Sequence, residues 1–195
     1  MRLFLILTSL LALLSCQSPQ VTDSTTASER PRFEITRGVN ISHWLSQSSR
    51  RGEARATFFT EADVAALDSL GYDHLRLPVD EEQLWLEDGR KDSVGFALLH
   101  QALDWCLKRD LKVIVDLHIV RSFHFNRTDN TLFTDPAAQE TWIDLWRQLS
   151  AELKDYPTGM VAYELLNEPV ADEHAQWNEL VNRCLAVVRE LEPER

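Results

Sequence analysis

Several polar side chains stand at the ends of runs that read as strands. Asn40 closes 34–40, Arg76 lies late in 72–80, His118 closes 111–118, and Asn167 closes 159–167 with Glu168 directly after it. Carboxyl and imidazole groups exchange protons, while an amide or a guanidinium holds oxygen atoms in place. The sharpest case is "VAYELLNEPV" (161–170), an apolar run ending in an amide, a carboxyl and a proline. Such a tip is either an ordinary turn or part of an active site. Pro169 biases Glu168 away from the right-handed helical region and so helps to fix the acid's backbone. Metal chemistry is not indicated, because His118 and His124 lack convincing ligand spacing and no separate carboxylate cluster accompanies them.

The elements that must position these groups alternate along the chain. Strands are read over 34–40, 72–80, 111–118 and 159–167, and helices over 60–71, 94–109, 136–155 and 173–191. Thr60 with Asp63 is a capping pair and Gly71 a stop. Asp135-Pro136 enters the third helix with proline in its first turn. The strands are near-continuous apolar runs, as expected when helices cover a parallel sheet. Polar groups gathered at the C-terminal strand ends favour a (β/α)8 TIM barrel over an open doubly wound sheet. The chain also has no Gly-rich phosphate loop after its first strand. A barrel needs eight strands and about 250 residues, so this α/β chain is expected to hold about the first four βα units. It is then either a fragment or a half-barrel whose free sheet edges self-associate.

Three segments are expected. Met1-Arg2 followed by the Leu-rich run Leu3 to Leu14 and "LLSC" (13–16) reads as a lipoprotein-type signal, with Cys16 the lipidated residue. Residues 17–34 are a Ser/Thr/Pro-rich tether, and 35–195 the barrel domain. The protein is thus expected to be exported to the bacterial cell envelope and held at the membrane by its N-terminal lipid. The formal net charge of −11 and the absence of a basic stripe argue against nucleic acid. Cys106 and Cys184 fall on apolar helix stripes and are read as buried free thiols. Trp142, Trp146 and Trp177 are read as packing.

"TRGVNISHWLSQ", "DHLRLPVD", "VIVDLH" and "VAYELLNEPV" occur in this order at four successive strand ends. Together they resemble glycoside hydrolase family 5, the cellulase family of clan A barrels, over about residues 35–195. The resemblance implies a retaining glycosidase acting on a β-linked poly- or oligosaccharide, without cofactor or metal. It implies Glu168 as acid/base, Asn167 on the sugar 2-hydroxyl, and Arg76 and His118 in the substrate site. The nucleophile belongs to a seventh strand, and none is assigned in this chain. His43 and Trp44 follow the first strand, and Trp44 is a candidate sugar platform or a core residue. Trp85, His124 and Phe125 lie on the next two loops. Strand parity puts Asp116 and Glu164 on the same face as His118 and Glu168. These two acids are expected to form an ion cluster beneath the site with Arg76 and Arg37. Two other readings compete: a non-catalytic half-barrel that binds sugar or is inert, and an unrelated metal-dependent barrel hydrolase, against which the missing His-x-His pair argues.

Overall fold

The computed structural model describes residues 32–195. The Leu3–Leu14 run, Cys16 and the first part of the tether lie outside the described residues. Strands β1 (Gly38–Asn40), β2 (His74–Asp80), β3 (Lys112–Ile119) and β4 (Val161–Glu164) form one parallel sheet in the order β1-β2-β3-β4. The connections carry helices α1 (Gly52–Ala56), α2 (Glu61–Ser69), α3 (Glu81–Leu84), α4 (Ser93–Leu107), α5 (Pro136–Leu153) and α6 (His174–Leu191). A parallel sheet in sequential order with intervening helices is the arrangement of a (β/α) barrel, here with four of its strands.

The local signals explain the long helices. Asp63 of α2 accepts from the Thr60 backbone N–H at 2.8 Å, closing the capping box. Gly71, just past the end of α2, takes φ +76°, the left-handed conformation that glycine adopts without a Cβ clash. Asp92 caps α4 by accepting from Val94 N–H at 2.9 Å, and Asp135 caps α5 from Ala137 N–H at 2.9 Å, with Pro136 in the first turn. The one-turn elements α1 and α3 were not anticipated. They are too short to show a helical period.

Side-chain alternation divides the sheet into two unlike faces. Leu75, Leu77, Val79, Val113, Val115, Leu117 and Val161 point to the helix layer and are buried. Trp44, Trp85, Trp142 and Trp146 fill that layer, wholly enclosed. Cys106 and Cys184 are buried free thiols, and burial pushes each up to about 12. The opposite, barrel-axis face carries His74, Arg76, Lys112, Ile114, Ala162 and Glu164, all only half-buried. Its residues are mostly charged or small, so water can lie against it at little hydrophobic cost. Among the described residues, β1 and β4 each keep one unpaired edge.

Both edge strands are shorter than the sequence suggests. The β3 ladder supports β4 only from Val161 to Glu164. Past it, the Leu165 carbonyl accepts from Trp146 Nε1 at 2.9 Å, so the chain leaves the sheet at the level where the polar tip begins.

Gly95 has a packing reason. A Cβ there would stand 2.1 Å from the Gln83 carbonyl oxygen, at the end of α3. Helix propensity alone would favour Ala by about 1 kcal/mol, but forcing α3 and α4 apart costs about 1–3 kcal/mol. Gly95→Ala is therefore expected to lower the urea midpoint with an unchanged slope. A raised midpoint would show that the two elements separate freely.

Candidate active site

Arg76 is the centre of the site. It lies on the barrel-axis face of β2, opposite Asn40 of β1 and Ile114 of β3 in register. Its Nε donates to Glu164 Oε2 at 2.7 Å and its Nη2 to Glu164 Oε1 at 2.7 Å, the two-pronged geometry that suits guanidinium and carboxylate. Nη2 also lies 2.8 Å from Asp116 Oδ2 and donates to Asn167 Oδ1 at 2.9 Å. Nη1 donates to Asn40 Oδ1 at 2.9 Å. One side chain thus links all four strands. Its pKa is raised, first by the hydrogen bonds to Glu164 and then by the charges of Asp116, Glu164 and Glu168. Glu168 is therefore within electrostatic reach of Arg76.

The ion cluster expected beneath the site is present, with one correction. Asp116 and Glu164 pair with Arg76, but Arg37 does not join them. It donates from Nη1 to the Leu70 carbonyl at 2.9 Å and lies over the Tyr72 ring at 4.7 Å. Arg37 comes too early in its strand to reach the C-terminal end. Asp116 is fully buried, whereas Glu164 is about one-third exposed (35%). Burial pushes the Asp116 carboxyl up, opposed by its hydrogen bond with His118. Its Oδ1 has no hydrogen-bond partner.

His118 is buried and held on both ring nitrogens. Nδ1 lies 2.6 Å from Asp116 Oδ2, and Nε2 lies 2.7 Å from the side-chain nitrogen of Gln47. A carboxylate accepts and an amide nitrogen donates, so the ring carries its proton on Nδ1 and accepts on Nε2. Phe125 meets the ring edge-on, with centroids 5.3 Å apart, and His124 packs on Phe125 at 4.9 Å.

Asn167 is buried, and its bond to Arg76 turns the amide oxygen inward. The amide nitrogen, a donor, is thereby directed away from the guanidinium. Glu168 is exposed, with φ +44°. Its backbone is thus left-handed. Pro169 does exclude the right-handed region, but the result is strained instead of extended. Strain of this kind costs about 1–3 kcal/mol and concentrates at functional sites.

Two expectations for the loop tryptophans change. Trp44 is no sugar platform: it is fully buried, its Nε1 donates to the Arg55 carbonyl at 2.8 Å, and its ring leans on Phe59. An indole buried with its N–H paired belongs to the core. Trp85 is enclosed in the same way, with Nε1 on Gln148 at 2.9 Å. His43 remains at the surface, with φ +59° and Nδ1 3.3 Å from the Gln47 carbonyl. Exposed aromatic area near the strand ends comes instead from Phe58 and the half-buried Phe125.

A cleft of about 460 Å³ runs along the tips of β2 and β3, lined among others by Gln47, Asp80, Glu81, Arg121, His124 and Arg127. Glu168 is not among the residues lining it. Asp80, the last residue of β2, is buried, and burial pushes its carboxyl up. Glu81 accepts from the Arg121 backbone N–H at 2.7 Å and pairs with its guanidinium, tying the β3 loop to α3. Gln47, Asp80, Glu81 and Arg121 were not singled out from the sequence. No described group of three or more His, Cys, Asp or Glu residues is arranged to hold a metal ion.

Comparison with known proteins gives a consistent result. The family model described as cellulase (glycosyl hydrolase family 5) matches residues 34–195. Endoglucanase C of Acetivibrio thermocellus is 32% identical over 162 residues, covering 81% of this chain and 47% of that protein. Cellodextrinase A of Ruminococcus flavefaciens is 32% identical over 164 residues, covering 82% of this chain and 48% of that protein. The chain thus spans about half the length of the curated relatives it matches. Among solved structures, Thermotoga maritima Cel5A in complex with cellobiose superposes with a TM-score of 0.67 at 25% identity, over 85% of this chain and 51% of that one.

Proposed function

Because the chain belongs to the cellulase family, glycosyl hydrolase family 5, we propose that it supplies the acid/base half of a retaining β-glycosidase site that cleaves a β-linked glucan or a related polysaccharide. The observation carrying this reading is the convergence of Asn40, Arg76, Asp116, Glu164 and Asn167 at the strand ends, with Glu168 close enough to Arg76 for their charges to interact. Glu168 protonates the glycosidic oxygen, then takes a proton from water in the second step. The Asn167 amide nitrogen, turned outward by Arg76, donates to the sugar 2-hydroxyl, a contact that strengthens in the transition state. His118 accepts from a substrate hydroxyl through Nε2, and Phe125 offers a ring face to the sugar.

A retaining mechanism needs a second carboxyl about 5 Å from the acid. Among the described residues, the barrel-axis carboxylates nearest this task, Asp116 and Glu164, are already bound to Arg76. We assign them to holding the guanidinium and place the nucleophile outside the described residues. Arg76 then has a further role, presenting positive charge that keeps that nucleophile ionised.

The Leu-rich run and the position of Cys16 after it support export and lipid anchoring at the bacterial cell envelope. The unpaired edges of β1 and β4 support self-association as a second way of covering the sheet. The relatives named endoglucanase and cellodextrinase support a β-glucan substrate. The functional reading is tested, in the form of the protein that also carries the nucleophile, by release of reducing ends from soluble β-glucan, β-mannan and xylan. Release from the glucan at the highest kcat/KM supports it, and release from none of the three overturns it.

A further inference from the structure

Gln47 is an exposed residue in the loop after β1, held in an unusual conformation by a buried acid. Its φ is +49°, a left-handed value that is costly for a side chain of this type. Two bonds lock the loop to the end of β2. The Asp80 backbone N–H donates to the Leu45 carbonyl at 2.8 Å, and the Gln47 backbone N–H donates to Asp80 Oδ2 at 2.5 Å. Asp80 is only 2% exposed, so this clamp is sheltered from water. The result is to aim the Gln47 side chain at His118, where its amide nitrogen reaches Nε2 at 2.7 Å.

That contact occupies the nitrogen through which His118 would meet a sugar. Nδ1 is committed to Asp116, which alone is enough to keep the ring proton there. The Nε2 lone pair lies in the ring plane and accepts one good hydrogen bond. A glycan hydroxyl and the Gln47 amide therefore cannot both donate to it. We propose that Gln47 is a positioning residue that holds the place of a sugar hydroxyl on His118, and that a glycan binds by exchanging this internal bond for its own. The strained backbone stays clamped by Asp80 while the side chain alone swings away. Gln47 lines both the cleft at the tips of β2 and β3 and the more open one beside His43, Arg50 and Phe58. The consequence for glycan binding rests on the glycosidase reading above, whereas the internal bond does not.

Long-range proton–nitrogen spectra of the 15N-labelled chain read the bond directly, with no substrate present. Gln47→Ala is expected to shift the His118 Nε2 resonance and leave the Nδ1–H in place. Gln47→Glu removes the donor and supplies an acceptor, and is expected to put a proton on Nε2 as well. Unchanged Nε2 signals in both variants would overturn the proposal. Titration with cellotetraose then reads the exchange. In the unaltered chain the Gln47 side-chain NH2 and His118 Nε2 signals should move together on binding. Losing the internal competitor, a bond of ordinary net strength, should tighten binding by Gln47→Ala about threefold to tenfold. Weaker binding by Gln47→Ala would make Gln47 a direct sugar ligand and overturn the exchange alone. If the unaltered chain does not bind cellotetraose, the exchange and the glucan reading fall together, while the ligand-free spectra still judge the bond.

Discussion

In the form of the protein that also carries the nucleophile, Glu168→Gln is expected to lower kcat on cellotetraose by about 10²- to 10⁴-fold, the usual worth of a positioned proton donor. The amide keeps the size of the acid and cannot protonate a departing sugar oxygen. Glu168 is exposed and makes no contact that holds the fold together, so the thermal midpoint should stay where it is. Leaving-group dependence separates the acid role from simple binding. Release of 2,4-dinitrophenolate from an aryl β-cellobioside needs no proton, so its first turnover should fall far less than the cleavage of cellotetraose. An equal loss on both substrates would show that Glu168 binds or shapes the site without donating the proton.

Arg76→Met should produce the largest loss of stability in the domain, about 3–5 kcal/mol, as for a buried ion pair broken on one side. The reason is the fully buried Asp116, which would keep a charge with no cation beside it. Glu164, one-third exposed, contributes less because water can take over. Burial already pushes the Asp116 carboxyl up, and loss of the guanidinium raises it further. An acid whose folded pKa stands above its unfolded value costs stability at high pH, and that cost vanishes below the unfolded value. The deficit of Arg76→Met should therefore shrink as pH falls from 7 towards 4. Denaturant midpoints across that range measure it. A deficit that does not change with pH would mean that Asp116 is not the group left exposed. Arg76→Lys keeps the charge but not the planar fork that serves Glu164, Asp116, Asn167 and Asn40 together, and should fall between the two.

The strand tips were legible because each ends an apolar run in a group that does not belong in a core. Arg76 and His118 lie in β2 and β3 as that reading puts them, whereas Asn167 and Glu168 lie beyond β4, which ends at Glu164, and parity correctly brought Asp116 and Glu164 to the face of Arg76 and His118. The helices were equally legible from Thr60, Gly71 and Asp135. The loops were not. Whether Trp44 stacks on sugar or packs inside depends on a distant carbonyl, that of Arg55, which no spacing rule supplies. Gln47 and Glu168 adopt left-handed backbones although neither is Gly or Asn, the residues that would signal them. Asp80 reads as the ordinary end of a strand. Its importance lies in the clamp on Gln47, a tertiary contact invisible to local pattern. Arg37 looked equivalent to Arg76 by type, and only its position in the strand, far from the C-terminal end, separates them.

A retaining mechanism in which Glu168 is the acid/base shows itself in the configuration of the first product. Cleavage of cellotetraose by the form that also carries the nucleophile, followed by proton NMR faster than mutarotation, reports the anomer released at the new reducing end. The β-anomer is expected first, with the α-anomer appearing only as the sugar equilibrates. An initial α-anomer would mean a single inverting displacement, and would contradict the assignment of Glu168 to both steps.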